Sequence, residues 1–175
     1  MFKRFKVRLW LAGLVIALGI LLVWLDPRGP QDVLENAEIT LFGDNGSVMQ
    51  SLKTPRLIHT PQRSETWTEE PEAVLYDSEN RQWLASAAVG TLNTATQALL
   101  LSGSARLFAP DEGWQLDTEL LHYDGLEQHA WSDTPVLMQQ PPQQMSASRM
   151  DVWLNTSQVR LTDNVRGTHP PATQR

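Results

Sequence analysis

Residues 83–93 read Trp83-Leu84-Ala85-Ser86-Ala87-Ala88-Val89-Gly90-Thr91-Leu92-Asn93. Moved on by 31 positions, the chain reads Trp114-Gln115-Leu116 through Tyr123-Asp124. Moved on by 31 again, it reads Met145-Ser146-Ala147 through Leu154-Asn155. Each stretch closes on an apolar residue followed by Asn or Asp. A second series interleaves with the first at a spacing of 30: Leu101-Ser102-Gly103, Trp131-Ser132-Asp133 and Leu161-Thr162-Asp163. Apolar or small residues return four positions later at Ala105, Pro135 and Val165. The unit is a strand pair of about 30 residues, within the range of stacked repeats.

Around this repeat the dominant period is two. Ala37 to Phe42, Pro71 to Tyr76 and Ala98 to Phe108 are strand-like runs. Turn residues separate them at Asp44-Asn45-Gly46, Asp77-Ser78-Glu79-Asn80, Pro110-Asp111-Glu112-Gly113, Asp124-Gly125 and Pro141-Pro142. A lone hairpin cannot bury its apolar face, so neighbouring units must stack. The expected body is all-β, with two sheets facing one another as a sandwich or jelly roll.

The N-terminal segment has a different period. Leu9 to Leu25 is a run of 17 residues with no charged or polar side chain apart from the indoles of Trp10 and Trp24 near its ends. As a helix it spans about 25 Å, near the lower limit for a bilayer core. Lys3, Arg4, Lys6 and Arg8 precede it, which keeps the N-terminus cytoplasmic and exports the body. A cleaved signal peptide shares this basic start. Val23-Trp24-Leu25, however, does not form a small-x-small cleavage site. Gly13 and Ala17 would let a second helix approach closely. The expected organisation is therefore a basic terminus at 1–8, a membrane helix at 9–25, a linker at 26–36 containing Pro27, Gly29 and Pro30, a β domain at 37–169, and a disordered tail at 170–175.

Composition excludes several classes of function. The 175 residues include no cysteine, so disulfides, thiolate zinc sites and thiol catalysis are excluded. The length is too short for a TIM barrel or a two-domain dinucleotide enzyme. Net charge is −6, and the exported part carries 10 basic against 20 acidic residues. Such a body is a poor nucleic-acid binder. No GxxxxGK[ST], GxSxG or HExxH motif occurs. His122 and His129 with Asp124 are the one combination resembling a zinc set, but they flank an expected turn. Glu69, Glu70 and Glu72 surround Pro71 and read as a solvated, charge-rich loop. No catalytic residue, metal or cofactor is expected.

Binding is then the remaining reading. The equivalent apolar repeat positions, Trp83, Ala85, Leu92, Leu101, Trp114, Leu116, Tyr123, Leu154 and Leu161, are the candidate interior. They form either a dry, filled core or an apolar groove suited to acyl chains. Among Trp67, Trp83, Trp114, Trp131 and Trp153, those at repeat positions suit core packing or a ladder, with a glycan-stacking platform as the alternative. The last strand, Gln158 to Gly167, ends an open stack. It can accept another sheet, or use Arg160, Asp163 and Arg166 to guard its edge.

The basic N-terminus with one helix, the run from Trp83-x-Ala85 through Leu92-Asn93 to Leu101-Ser102-Gly103-Ser104-Ala105-Arg106-Leu107, and the closing Leu161-Thr162-Asp163-Asn164-Val165-Arg166-Gly167-Thr168-His169 together resemble the LptC family of lipopolysaccharide export proteins. The resemblance implies an inner-membrane, single-pass protein with a periplasmic β-jelly roll. It implies a noncatalytic relay that takes lipopolysaccharide from an ABC transporter (LptB, LptF and LptG) and passes it to the bridge protein LptA, acyl chains inside. It places the transporter contact on Ala37, Ile39 and Leu41. The bridge contact falls on the strand Val159–Arg166, through Val159, Leu161, Asp163, Val165 and Arg166. Relatives often have Gly where Ser132-Asp133 stands, so that turn is expected to differ here. A filled structural adaptor and an anchored glycan-processing enzyme are the competing readings.

Overall fold

The computed structural model describes residues 32–43, 46–60 and 64–168. The membrane helix expected at 9–25, its Gly13/Ala17 face, the first part of the linker and the tail at 170–175 lie outside these residues. Among the described residues no helix is long and apolar enough to cross a membrane. Fourteen strands follow one another, every pairing antiparallel. They are β1 (Asp32–Phe42), β2 (Val48–Thr60), β3 (Glu65–Glu69), β4 (Glu72–Tyr76), β5 (Gln82–Ser86), β6 (Val89–Asn93) and β7 (Ala98–Ala109). Then come β8 (Trp114–Asp124), β9 (His129–Ser132), β10 (Val136–Gln140), β11 (Gln143–Ala147), β12 (Arg149–Trp153), β13 (Gln158–Thr162) and β14 (Arg166–Thr168).

The long strands change partners halfway. β2 pairs with β4 through Gln50–Lys53 and with β3 through Arg56–Thr60. β7 pairs with β6 through Ala98–Ser102 and with β5 through Arg106–Ser86 and its neighbours. β8 pairs with β10 near Leu116 and with β9 near Tyr123. One ladder is thereby folded into two faces. The first holds β3, β6, β9, β12 and β13; the second holds β4, β5, β10, β11 and β14. The strands β1, β2, β7 and β8 run through both, which is the jelly-roll arrangement expected from the repeat.

Bends mark the crossing from one face to the other. In β7 the bend is Gly103 (φ 77°) followed by Ser104 (φ 55°), where the β7–β8 register shifts. A Cβ on Gly103 would lie 3.0 Å from the Ala88 side chain, so both conformation and space favour glycine. Asn36 (φ 51°), Glu70 (φ 44°), Asp163 (φ 61°) and Asn164 (φ 54°) turn their segments in the same left-handed way. Backbone hydrogen bonds cross between bends: Glu70 N–H to Ala88 O (2.8 Å), Ala88 N–H to Gly103 O (2.9 Å) and Ser148 N–H to Asp163 O (2.8 Å). Gly103, Asp133 and Asp163 lie 30 apart, which is the origin of the sequence repeat. At the departure Ser132-Asp133, Asp133 does not adopt a left-handed φ. That corner is instead built from hydroxyls: Thr118 Oγ1 meets Ser132 Oγ (2.9 Å) and Thr134 Oγ1 (2.8 Å) and donates to Pro135 O (3.1 Å).

Between the faces lies one apolar cluster. It joins Leu92, Leu99, Leu101, Leu121, Tyr123 and Val152 from the first face to Leu52, Leu75, Trp83, Leu107, Trp114 and Leu116 from the second. Trp83 and Trp114 meet edge to face at 5.1 Å, a geometry that adds to simple area burial.

Two boundaries differ from the sequence expectation. β1 begins at Asp32, so residues 32–36 are strand and not linker. Asp32, Val33, Leu34 and Glu35 pair with His59, Ile58, Leu57 and Arg56. The long β2 offers unpaired backbone there, and pairing outweighs the polar composition of 32–36. The last strand is also not continuous. Asp163 and Asn164 break it, Val165 belongs to neither part, and Arg166–Thr168 crosses to pair with β11. Alternating Val159, Leu161 and Val165 hid this bend, which an Asp-Asn pair accommodates because both tolerate left-handed backbone.

Candidate functional site

The repeat positions converge. Trp83, Leu92, Leu101, Leu116, Tyr123 and Leu154 are at most 2% exposed, Ala85 and Trp114 are also buried, and Leu161 on β13 is half-buried. The two faces pack directly onto one another through these side chains. Burial raises the Tyr123 hydroxyl well above its ordinary pKa, with the nearby Asp124 and Asp77 charges adding to the shift. Tyr123 is therefore a neutral phenol in this interior.

The stretch under β2 and β3 is lined differently. Gln50, Thr54, Thr66 and Thr68 point inward and are buried. Thr54 Oγ1 donates to the carbonyls of Arg56 and Glu69, and Thr66 Oγ1 lies 2.9 Å from His59 Nδ1. Neither side-chain atom of Gln50 has a partner, nor does Thr68 Oγ1. An unpaired buried polar group costs ~1–3 kcal/mol, so these positions are not optimised for stability. The sequence reading missed them because it followed only apolar residues; the signal was a polar side chain at inward parity.

Opposite the bends, hairpins of the two faces meet and are clasped by polar groups. Arg81, in the β4–β5 turn, donates to Leu154 O (3.3 Å) and Asn155 O (3.4 Å) beyond β12. Ser157 donates to Glu112 Oε1 (2.7 Å), and Gln128 donates to Tyr76 O (3.4 Å). Asp77, its side chain fully buried, organises this clasp through Arg81 Nε (2.7 Å). Burial alone would raise the Asp77 carboxyl. Hydrogen bonds from the Arg81 backbone and guanidinium, Glu79 N–H and the Trp83 indole outweigh it and hold the carboxyl below its ordinary value. Beside the clasp, Val48, Met49, Tyr76, Asp77, Ser78, Asn80 and Gln128 are among the residues lining a cleft of about 500 Å³.

The edges of the sandwich are open. Among the described residues β1 pairs only with β2, β13 only with β12, and β14 only with β11. On β1, Ala37, Ile39 and Leu41 are half-buried, and Val33, Leu34 and Phe42 are each more than 50% exposed. At the other end Val159 and Leu161 are half-buried on β13, Asp163 and Val165 sit exposed in the bend, and Arg166 is exposed on β14. The partner-contact candidates thus fall on strand edges at opposite ends of the ladder.

The remaining candidates do not form a site. Trp131 stacks on both His122 (5.0 Å) and His129 (5.2 Å), and His129 Nε2 contacts Asp151 Oδ1 at 3.1 Å. Asp124 instead accepts from the N–H groups of Leu126 and Glu127. Among the described residues no three His, Cys, Asp or Glu are grouped to hold a metal. The outward row continues through Trp153 to Arg160, whose guanidinium lies 4.9 Å from the ring. Its ring faces are occupied by one another, which removes the flat platform a glycan would need. Glu69, Glu70 and Glu72 are exposed around the β3–β4 bend.

No curated protein matches the chain significantly. Among solved structures, the chain is similar to LptH of Pseudomonas aeruginosa, described as the LptA-homologous periplasmic component of the conserved lipopolysaccharide transport device. The identity is 9%, the TM-score 0.40, and the match covers 81% of this chain and 96% of that one. The family model described as "Lipopolysaccharide-assembly, LptC-related" matches residues 11–170. The chain belongs to the LptC-related family of lipopolysaccharide-assembly proteins.

Proposed function

We propose that this protein is a noncatalytic relay: it accepts lipopolysaccharide from an inner-membrane ABC transporter and passes it to a periplasmic bridge protein of the LptA kind. The single observation that carries this reading is the pair of open edges on one shared apolar interior. β1 contributes to both faces at one end, while β13 and β14 contribute one strand to each face at the other. A partner built of two such faces can add a strand to both at once. Its interior then continues this one, and acyl chains move between proteins without crossing water. Residues 9–25 anchor the chain in the inner membrane, with 1–8 cytoplasmic and the β domain periplasmic. β1 is the transporter side and β13–β14 the bridge side.

A photoreactive residue at Leu116 should capture lipopolysaccharide in membranes containing the transporter when ATP is supplied. Capture only at outward positions would defeat the interior path. The filled interior favours a second reading, an adaptor that docks partners and holds no lipid. Under it, partner crosslinks at the edges persist while Leu116 captures nothing.

A further inference from the structure

We infer that the Gln50 side-chain amide is a docking point for the carbonyl or hydroxyl group at the head of an acyl chain. The inference rests on the lipid-holding reading above and deepens it by naming a residue and a chemical group. Gln50 is 3% exposed and points into the sandwich. Its register neighbours on either side are Leu41 of β1 and Leu75 of β4, both part of or packed on the apolar cluster. Both its Nε2 and Oε1 lack a hydrogen-bond partner. Of the other buried polar groups of β2 and β3, Thr54 and Thr66 are satisfied by neighbours, while Thr68 leaves one hydroxyl unpaired and Gln50 both ends of an amide. A buried amide with both ends free is uncommon and calls for a partner.

Its position indicates which partner. Val48 and Met49, immediately before it on β2, line the cleft at the clasped hairpins. Gln50 follows them directly on the same strand with its side chain inward, so the amide lies one residue from that lining. A hydrocarbon tail that parts the two faces there is buried against Leu52, Leu75 and Trp83. The first group that tail cannot bury freely is its own polar head: an ester or amide carbonyl, or a chain hydroxyl. Gln50 supplies one donor and one acceptor for it in a medium where neither side has water to fall back on. The unpaired amide is then satisfied by a lipid of the right chemistry, which favours acyl lipids over plain alkyl chains.

The test uses the full chain in amphipol and two probes of equal chain length, sugar and attachment point, 1-O-tetradecanoyl glucose and tetradecyl glucoside. The wild-type protein should prefer the acylated probe. Gln50→Leu should erase that preference, binding the acylated probe roughly tenfold more weakly and leaving the alkyl probe unchanged. Gln50→Met repeats the measurement with an unbranched side chain, in case Leu packs badly. Equal affinity of wild type for both probes, or an equal loss of both in the variants, overturns the role of Gln50 while the lipid-holding reading stands. Failure of wild type to bind either probe overturns that reading, and this inference with it.

Discussion

The interior under β2 and β3 and the interior under β5 to β12 are two regions of one sandwich with opposite character. The second region is close-packed around Trp83, Trp114, Leu116 and Tyr123, and its buried hydroxyls, Thr118 and Ser132, are paired with one another. The first carries Gln50, Thr54, Thr66 and Thr68 in the positions where apolar residues would pack best, and leaves two of them unpaired. One region is arranged for stability. The other gives up stability near the end where lipid is proposed to enter. Buried polar groups that cost free energy are evidence about function in a way that a well-filled core is not.

This contrast predicts a graded set of outcomes. Trp83→Ala or Trp114→Ala should cost ~3–5 kcal/mol, since each removes a large side chain from the filled region. Urea unfolding monitored by circular dichroism reads this directly. Next is the clasp. Arg81→Ala leaves the buried Asp77 carboxylate without its guanidinium and should cost about 3 kcal/mol, because breaking one member of a buried pair strands the other. Arg81 keeps partial contact with solvent, so the loss should sit at the low end for such pairs.

The same carboxyl gives a pH signature. Asp77 has a lowered pKa in the folded protein, so its contribution is complete above the ordinary value of 3.8 and disappears as pH falls through the folded one. Unfolding of wild type between pH 5 and about 2 should therefore steepen with acid more than that of Asp77→Asn. Parallel curves would show that Asp77 is not the titrating brace.

A smaller effect is expected at the C-terminal bend. Val165→Pro should push Asn164 out of its left-handed conformation, since a residue before proline is driven towards extended backbone. β14 would then leave β11, with only about 1 kcal/mol lost because the bend is exposed. Bridge-protein binding, measured alongside circular dichroism, should fall about tenfold. The smallest change is Gln50→Leu in the empty protein, which should be neutral or stabilising by up to ~1 kcal/mol.

Much of the fold was legible because one physical rule repeats. A strand pair bends at a fixed interval, so Gly103, Asp133 and Asp163 recur at 30 and the Trp83, Trp114 and Met145 positions at 31. The interior candidates followed from that phase. Trp131 did not: it shares the place of Leu101 in the series yet faces outward, because Ser132 takes the inward place at the hydroxyl corner. A one-residue slip of this kind exchanges faces and leaves the spacing unchanged. The start of β1 at Asp32 was hidden because its pairing depends on β2, not on its own composition. Asp77 reads only as a turn residue and nothing in the spacing singles out Arg81, since the reach of Arg81 to Leu154 and Asn155 is a contact between segments far apart in sequence.

The central claim is that lipid passes through the shared interior. Its most direct test is azidophenylalanine at Tyr123, close to tyrosine in size, in reconstituted membranes containing the transporter, with and without ATP. Leu84, which is 38% exposed on the outer surface, serves as the control. The account predicts ATP-dependent lipopolysaccharide adducts at position 123 and none at 84. Adducts at 84 with none at 123 would contradict it.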